Sequence, residues 1–371
     1  MCFTYILACG SGGGSGGDGD TSGPDGGGVG PGADGGGLPV DDLESPTGCD
    51  GPFNPSQVLE YHITVGGDFP GLEDDDYGPG YFACGDEEPI KVGVRSRLEG
   101  EGWLVDMNWA VEGQSWRTLK KLSFHTGFGG DVTEEYLGWR VQRLAAGPGK
   151  MVERSALAHL FVDGHDEGIL FNLEKVDQRF LRSRLGDDSG WLFKKSGTDD
   201  GYRTNESQPN PYEADFCFFE ESQPCSPPGN IETWLPEHLA MDHMMTWGAA
   251  NVLIGNSDGP LSKPHNFYFY DYAGGPRYYF PWDLDSTRQS LDPFDGPGDS
   301  VYQNVLFPTW QDHYGDLIAE LLDGPLSVSA VGDEIDLAVA TGDGAVDAST
   351  ANGFKSWYRG QHDAVAAQVA R

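Results

Sequence analysis

The residues best suited to chemistry lie in and just before a predicted hairpin in the second half of the chain. Its two aromatic segments, NFYFYDY and RYYFPWD, flank Gly274-Gly275, a dipeptide typical of a two-residue turn. A turn at these glycines places Asn266 directly opposite Asp283, with the two Cβ atoms about 5 Å apart. Asp258 lies eight residues before Asn266 in a loop that contains Gly and Pro. The spacing therefore predicts that two carboxylates and an amide converge at one point.

These three side chains offer oxygen ligands, which favour Mg²⁺ or Mn²⁺ over zinc. Mg²⁺ often takes its remaining ligands from water and from substrate phosphates, so the pattern indicates phosphoryl transfer. Protein kinases use a base, a metal-binding Asn and a metal-binding Asp in the chain order of Asp258, Asn266 and Asp283. The spacing differs, because the kinase loop D-x-x-x-x-N is shorter. The alternative interpretation is that Asp and Asn merely occupy turns in an Asp-rich chain.

The elements that must position these residues begin with a strand-rich first half. The runs VLEYHITV, IKVGVRSRL, GWLVDMNWAV and LKKLSFH are rich in β-branched and aromatic residues, which predicts a mostly antiparallel sheet. Asp131 and Glu134 then form a capping-box-like start to one helix. Two further strands, SALAHLFVDG and EGILFNLEKVD, are predicted to meet at a turn at Asp163-Gly164.

The second half is predicted to be helical apart from the hairpin. A short helix in QRFLRSRL ends at Gly186, and TWLPEHLAMDHMMTWGAANVLIG is typical of one largely buried helix with Pro236 near its first turn. Two more helical patterns, PTWQDHYGDLIAELL and GFKSWYRGQHDAVAAQVA, are expected to pack on the same core. A strand-rich half followed by a helix-rich half predicts an α+β protein of two lobes with a cleft between them.

The hairpin region also carries a family resemblance. GNSDGPLSKPHNFYFYD followed by FPWDLDSTR resembles the CotH-type spore-coat protein kinases, whose D…N…WD pattern is matched by Asp258, Asn266 and Trp282-Asp283. FVDGHDEGILFNLEKVDQRFLRSRLGDDSGWLFK, VGVRSRLEG and FKSWYRGQHDAV are similar to further segments of that family, so the resemblance covers about residues 55–371. It implies an atypical protein-kinase-like fold, with a β-rich N-lobe that holds one main helix and a helix-rich C-lobe that carries the hairpin.

The resemblance implies roles for the residues of the hairpin. Asp258 would be the catalytic base, Asn266 and Asp283 the metal ligands, and Asp285 a further acidic neighbour of the metal. The cofactors would be ATP and Mg or Mn, and the reaction would transfer the γ-phosphate of ATP to Ser or Thr of secreted or surface proteins. The alternative is a catalytically inactive kinase-like surface adhesin, or an envelope or spore structural protein. An altered glycine-rich turn at residues 98–102 motivates that alternative.

A phosphate-binding lysine is predicted by analogy with the kinase ion pair between a strand lysine and a helix glutamate. Lys121 lies on the strand before the helix, and Glu135 lies in that helix. Lys120 is the competing candidate, because strand alternation directs one of two adjacent side chains inward. Either lysine could instead be solvated at a strand edge. Glu174 falls where a strand leads into the connection between the lobes, so its backbone could contact adenine while its side chain has a structural role.

Charge and length limit the possible partners. The chain has 371 residues with 23 Lys and Arg against 59 Asp and Glu, and its net charge of −36 argues against nucleic acid as a partner. The same charge would favour basic segments of a substrate protein. No apolar run approaches the roughly 18 residues of a membrane-spanning helix. A monomer is predicted.

The N-terminal residues predict export and a lipid anchor. Residues 1–9, MCFTYILAC, are typical of a lipoprotein signal remnant whose lipobox precedes Cys9, although no basic residue comes before it. Either the translation start lies upstream or Cys9 is an ordinary thiol. Residues 10–40 are Gly-rich and are expected to be a disordered tether, followed by an N-lobe over 41–175 and a C-lobe over 176–371. The predicted location is the bacterial cell envelope or surface.

The four cysteines outside the signal segment are predicted to form disulfides. They lack the CxxC spacing of a zinc site. Of the three possible connectivities, the simplest joins Cys49 to Cys84 and Cys217 to Cys225, and disulfides agree with export. The alternative is four buried free thiols.

Overall fold

The computed structural model describes most of the chain from residue 42 onward. The described ranges are 42–66, 77–97, 102–127, 130–147, 151–196, 200–219, 229–259, 261–262, 265–296 and 300–370. Within them, no helix combines the length and the apolar character needed to span a bilayer. The predicted signal remnant with Cys9, the Gly-rich tether, residues 98–101 of the glycine-rich turn and Cys225 lie outside these ranges.

Seven strands in the first half form a closed barrel. They are β1 (Leu59–Val65), β2 (Gly78–Cys84), β3 (Ile90–Ser96), β4 (Gly102–Asp106), β5 (Lys121–His125), β6 (Ser155–Val162) and β7 (His165–Leu173). The order around the barrel is β1-β2-β3-β4-β5-β7-β6, and every pair is antiparallel except β1 with β6. The prediction of a mostly antiparallel sheet is confirmed, but the parallel β1–β6 pair closes that sheet into a barrel.

Aromatic side chains fill the barrel. The buried ring of Tyr61 on β1 lies 5.7 Å from the ring of Phe82 and 5.1 Å from that of Phe124, measured between centroids. Trp116 packs edge-on against Tyr61 at 6.0 Å. Because alternate residues of a strand point to the same side, each strand contributes buried apolar residues to the interior. The packed interior fixes the strand ends that reach the functional site described below.

Strand β2 is not predicted from the sequence, because the Gly-Pro-Gly at its start is typical of a turn. In the structure Gly80 serves close packing, since a Cβ at this position would lie 2.5 Å from Cγ2 of Val94 on β3. The last residue of β2, Cys84, forms the predicted disulfide with Cys49. This bond attaches the segment before β1 to the barrel and confirms one of the two predicted pairs.

One helix, α1 (Thr133–Ala146), connects the barrel to the helical half. Asp131 Oδ1 accepts a hydrogen bond of 2.9 Å from the backbone N–H of Thr133, so the predicted acidic residue does cap the first turn. Tyr136 and Trp139 are fully buried in the core of the helical half. The prediction of one helix between the strands is therefore confirmed.

In the described residues, the second half contains six α-helices and a four-stranded sheet. The helices are α2 (Gln178–Leu185), α3 (Ile231–His238), α4 (Met241–Ile254), α5 (Phe307–Asp323), α6 (Val328–Thr341) and α7 (Ala348–Val369). The strands are β8 (Trp191–Lys195), β9 (Gly201–Tyr202), β10 (Phe267–Asp271) and β11 (Tyr278–Pro281), in the order β11-β10-β8-β9. Helix α4 is buried on nearly all sides and packs against α1, α5 and α7. The α+β composition is confirmed.

The single helix predicted over residues 233–255 is wrong, because the structure divides it into α3 and α4. Leu239 has an extended backbone, with φ −122° and ψ 135°. The Arg277 N–H donates to the His238 carbonyl at 2.7 Å, and the Ala240 N–H donates to the Arg277 carbonyl at 2.9 Å. The loop between β10 and β11 thus provides hydrogen bonds that a continuous helix would otherwise make within itself.

Candidate active site

A cleft of about 230 Å³ opens where the barrel meets α1 and the segment after β11. The described residues that line it are Arg97, His125, Gly127, Glu135, Leu173, Trp282, Asp283 and Asp285. They come from the ends of β3, β5 and β7, from α1 and from the segment that follows the hairpin. The structure therefore brings together three of the sequence-predicted residues: Glu135, Asp283 and Asp285.

The hairpin carries Asn266 and Asp283, but its register differs by one residue from the prediction. Residues 272–277 connect β10 to β11, so the predicted two-residue turn at Gly274-Gly275 is wrong. The observed register places Trp282 opposite Asn266, and the Trp282 N–H donates to the Asn266 carbonyl at 3.2 Å. Strand alternation alone would then direct the side chains of Asn266 and Asp283 to different faces.

Backbone conformation nevertheless brings Asn266 and Asp283 together. Both residues have left-handed backbones, with φ of 56° and 55°, which Asn and Asp adopt more readily than most residues. This conformation takes their side chains out of the strand alternation, and Asn266 Nδ2 lies 3.4 Å from Asp283 Oδ2. An amide and a carboxylate thus meet at the cleft through a local geometry other than the predicted pairing.

Asp258 and Asp285 form a second group of carboxylates beside this pair. Asp258 lies in the turn after α4, where the Ser257 N–H donates to the Ser286 carbonyl at 3.0 Å. Ser286 Oγ lies 3.5 Å from Asp258 Oδ2. Burial raises the pKa of Asp285, and the negative charge of Asp258 adds to this increase. Asp258 therefore lies within electrostatic range of a carboxyl group that lines the cleft.

Glu135 contributes a buried carboxyl group to the same cleft. It lies in the first turn of α1 and is only 7% exposed. Burial raises the pKa of Glu135 to about 8; the negative charges of Asp283 and Asp285 add to this increase, and Arg97 opposes it. Glu135 Oε1 lies 3.9 Å from Nδ1 of His125. At neutral pH Glu135 is therefore mostly protonated.

The predicted pair of Lys121 and Glu135 is replaced by other contacts. Lys121 begins β5, and its Nζ lies 3.7 Å from Oδ2 of Asp106, its partner on β4. His125, next to Glu135, ends β5, and four residues of strand span about 13 Å. The cation that lines the cleft is Arg97, whose Nη1 lies 3.2 Å from Nε2 of His125. The lysine is on the predicted strand but at the wrong end of it.

Glu174 is buried after β7, where its side chain has a structural role. Its carboxylate contacts Arg154 at 2.5 Å, Arg179 at 2.7 Å and Arg184 at 2.6 Å. Burial by itself would raise the pKa of Glu174, but these arginines hold it well below its ordinary value. Its backbone N–H donates to the Arg154 carbonyl, while Leu173 lines the cleft. A contact of adenine with the backbone of Glu174 stays a prediction.

The oxygen donors at the cleft suit a hard divalent cation. In the described part of the chain, no group of three His, Cys, Asp or Glu side chains is arranged as a metal site. Mg²⁺, however, commonly binds one or two protein side chains together with water and phosphates, and Asn266 and Asp283 supply two. Burial is the main cause of the raised pKa values of Glu135 and Asp285, and neighbouring carboxylates add to both; a cation would offset this added negative charge. The residues therefore fit Mg²⁺ or Mn²⁺.

Arg97 and His125 are missed by the sequence analysis. A signal for His125 exists, because alternation puts it on the same face of β5 as Lys121 and Ser123. Arg97 lies in the segment VGVRSRLEG, which resembles the family, but its place beside His125 follows only from the pairing of β4 between β3 and β5. Lys120, the competing lysine, lies before β5 and is not among the described residues that line the cleft.

The sequence matches the model of a protein family described as CotH kinase protein over residues 140–341. The match covers more than half of the 371 residues. The chain belongs to the CotH kinase family. The CotH segment contains Asp258, Asn266 and Asp283, whereas strands β1 to β5 of the barrel lie before it.

This CotH protein has little similarity to curated proteins or to solved structures. No curated protein matches it. Among solved structures it is similar to a chain of the complex of the Shewanella oneidensis MR-1 toxin–antitoxin system HipA and HipB with its operator DNA, with 12% identity and a TM-score of 0.32. The similarity covers 67% of this chain and 59% of that chain, so less than two thirds of that chain is spanned. At this TM-score it does not establish a common fold.

Proposed function

We propose that this CotH protein is an atypical protein kinase that transfers the γ-phosphate of ATP to Ser or Thr hydroxyls, with Mg²⁺ or Mn²⁺ as cofactor. The observation that carries the proposal is the meeting of Asn266 and Asp283 at the cleft, 3.4 Å apart, beside Asp258 and Asp285. Kinases require this combination of a base carboxylate and metal-binding oxygens. Membership of the CotH kinase family supports a phosphotransferase.

The residues in the cleft and beside it have distinct roles in the proposed reaction. Asn266 and Asp283 would hold the metal ion, which would supply positive charge for the phosphates. The oxygen of the substrate hydroxyl bonds to the γ-phosphorus, and the bond from that phosphorus to ADP breaks. Asp258 accepts the proton that this hydroxyl loses. Asp285 adds negative charge beside the metal ligands. Glu135 orients His125 on the barrel side of the cleft.

The proposed architecture is the two-lobed arrangement of an atypical kinase. The barrel and α1 correspond to the N-lobe of residues 41–175, and the second sheet with helices α2 to α7 corresponds to the C-lobe of residues 176–371. ATP would bind between the end of β7 and the hairpin, where Leu173 and Trp282 provide apolar surface. This arrangement is supported by a cleft whose lining comes from both parts.

We propose that the protein works outside the cytoplasm on secreted or surface proteins. The Cys49–Cys84 disulfide is typical of oxidising compartments, which supports export. A lipid anchor at Cys9 would hold the enzyme at the cell envelope. The net charge of −36 would attract basic segments of substrates rather than nucleic acid, and the protein is proposed to act as a monomer.

The direct test is incubation of the purified chain with labelled ATP, Mn²⁺ and a generic basic protein rich in Ser and Thr. We expect transfer of label by the wild type and a loss of at least about 100-fold in Asp283→Ala, because a group that holds the metal is removed. Arg182→Ala, an exposed site away from the cleft, is the control. Absence of nucleotide binding by the wild type, or full activity of Asp283→Ala, would reject the proposal.

A second candidate function is an inactive kinase-like surface adhesin or envelope protein. It is favoured by the described lining of the cleft, which contains Arg97 and His125 and no lysine. A thermal-shift series with ATP and Mn²⁺ separates the two functions. A ligand at 100 times its dissociation constant stabilises a protein by about 2.7 kcal/mol, so the absence of any shift at saturating ATP would favour the adhesin.

A further inference from the structure

The barrel side of the cleft carries the cation of Arg97, next to His125. The geometry points to Arg97 as the residue that binds the phosphate groups of the nucleotide, with His125 occupying the place of the strand lysine that pairs with the helix glutamate in kinases. This inference rests on the proposed function and names the residue that recognises the polyphosphate. Arg97 lies before the segment that matches the CotH family model, which begins at residue 140.

Three neighbouring strands place Arg97 beside His125. The register of β3 and β4 pairs Ser96 with Trp103, and beyond it the Arg97 N–H donates to the Gly102 carbonyl at 2.9 Å. Gly102 in turn pairs with His125 on β5. Gly102 packs closely against β5, since a Cβ at this position would lie 1.9 Å from the carbonyl oxygen of Phe124. With β4 paired between β3 and β5, the Arg97 guanidinium reaches His125, at 3.2 Å from Nη1 to Nε2.

The contacts of Arg97 hold its guanidinium in position and leave a donor available. Nη1 lies 3.3 Å from Ser123 Oγ and 3.2 Å from His125 Nε2. Nε is buried and has no hydrogen-bond partner among the described residues. An unsatisfied buried donor is costly, and a phosphate oxygen would satisfy it. Arginine also suits phosphate because its planar group presents several donors in a fixed fork.

The hydrogen bonds also assign the role of His125. Since Arg97 can only donate, Nε2 of His125 accepts, and the ring proton of a neutral His125 is on Nδ1. Nδ1 faces Oε1 of Glu135 at 3.9 Å. His125 thus links the helix glutamate to the arginine, whereas a kinase lysine pairs with the glutamate and binds phosphate itself. The positive charge for the phosphates is thus carried by Arg97 at the end of β3, and not by a lysine on β5 as in kinases.

The distribution of charge supports an anion between the two sides of the cleft. Asp283 and Asp285 lie on the hairpin side, where the metal ion is proposed to bind. Arg97 is the positively charged side chain among the described lining residues. A polyphosphate held by the metal ion on one side and by Arg97 on the other would be neutralised from both sides.

Titration calorimetry of the full chain with ATP and Mg²⁺ tests the inference. We expect Arg97→Met to bind ATP roughly 10- to 100-fold more weakly, the loss typical of a charge-assisted hydrogen bond, and Arg97→Lys to lose less. Lys121→Met tests the alternative that Lys121 binds the phosphates. We expect its affinity for ATP to change by no more than about twofold, because Lys121 contacts Asp106. Arg182→Met is the matched control for net charge, since Arg182 is exposed.

Binding of adenosine separates phosphate recognition from a structural role. Adenosine has no phosphates, so Arg97→Met should bind it as the wild type does, whereas a distorted cleft would weaken both ligands. Should Arg97→Met not fold, the comparison of Arg97→Lys with wild type for both ligands decides the question. Wild-type affinity for ATP in the Arg97 variants, with loss in Lys121→Met, would overturn this inference and leave the proposed function intact. Failure of the wild type to bind ATP would instead overturn the proposed function, and this inference with it.

Discussion

Two buried glutamates show how differently the protein treats negative charge in its core and in its cleft. Glu174 is 3% exposed, and the surrounding arginines hold its pKa well below the ordinary value. Glu135 is 7% exposed, and burial together with the charges of Asp283 and Asp285 raises its pKa to about 8. Burial raises the pKa of any carboxyl group. At Glu135 the neighbouring carboxylates therefore add to the effect of burial on the pKa, whereas at Glu174 the neighbouring arginines reverse it.

The difference indicates where the charge balance of the folded chain is incomplete. Around Glu174 the protein itself supplies the positive charge, so that cluster is complete without a ligand. Around Glu135 the described lining residues provide three carboxyl groups and one arginine. A divalent cation would correct this imbalance. The Glu174 cluster is thus suited to stability, and the Glu135 cleft is suited to binding.

Removing Glu174 should cause the largest loss of stability. Glu174→Ala leaves Arg154, Arg179 and Arg184 without their shared partner, and removal of one partner from a buried ion pair costs about 3–5 kcal/mol. Urea unfolding at neutral pH measures the free-energy change. A loss below about 1 kcal/mol, the level of an exposed ion pair, would remove the energetic basis of the comparison.

The titration of Glu135 should give the next largest change in the free energy of unfolding. Its pKa is about 8 in the folded protein against an ordinary 4.5, so between these values the folded protein binds a proton that the unfolded chain releases. Stability should then fall as pH rises through this window, by at most about 1.4 kcal/mol per pH unit from this group. Glu135→Gln should remove that slope.

The measurement is urea unfolding of the wild type and of Glu135→Gln at several pH values from 5.5 to 9, in chelator. The difference between the two proteins isolates Glu135 from other titrating groups. Parallel stability curves would show that Glu135 is charged in the folded state at neutral pH, and the contrast with Glu174 would disappear.

Asp283→Asn should narrow the pH range over which the titration of Glu135 lowers the stability. Asp283 is the charged neighbour that contributes most to the raised pKa of Glu135, after burial. Removing its charge should lower the pKa of Glu135 but leave it above the ordinary value, because burial persists. The pH at which the wild-type slope ends should therefore move downward in the variant. An unchanged endpoint would mean that Asp283 does not act on Glu135.

The smallest effect is expected at an exposed ion pair. Arg182 pairs with Asp188, but 61% of the Arg182 side chain is exposed, and exposed pairs contribute about 0–1 kcal/mol. Arg182→Ala should therefore unfold at nearly the wild-type urea concentration. A loss as large as that of Glu174→Ala would show that the number of ion pairs, and not their burial, determines stability in this protein.

Elements with a strong local pattern are predicted correctly from the sequence. The strands around Tyr61 and Phe124 alternate apolar residues, and α1 begins at an acidic cap. Elements that depend on distant contacts are not. Strand β2 needs Gly80 because Val94 approaches it, and the break after α3 exists because Arg277 bonds to its end.

For the site, the sequence by itself determined that the hairpin and the loop before it carry an amide and two acids, because these residues belong to one local family pattern. Their contact depends on left-handed backbones at Asn266 and Asp283, which no turn rule predicts. Only the tertiary structure decided which cation faces them. Arg97 and His125 become neighbours through pairing of three strands, and such pairing, with its burial, cannot be read from local spacing.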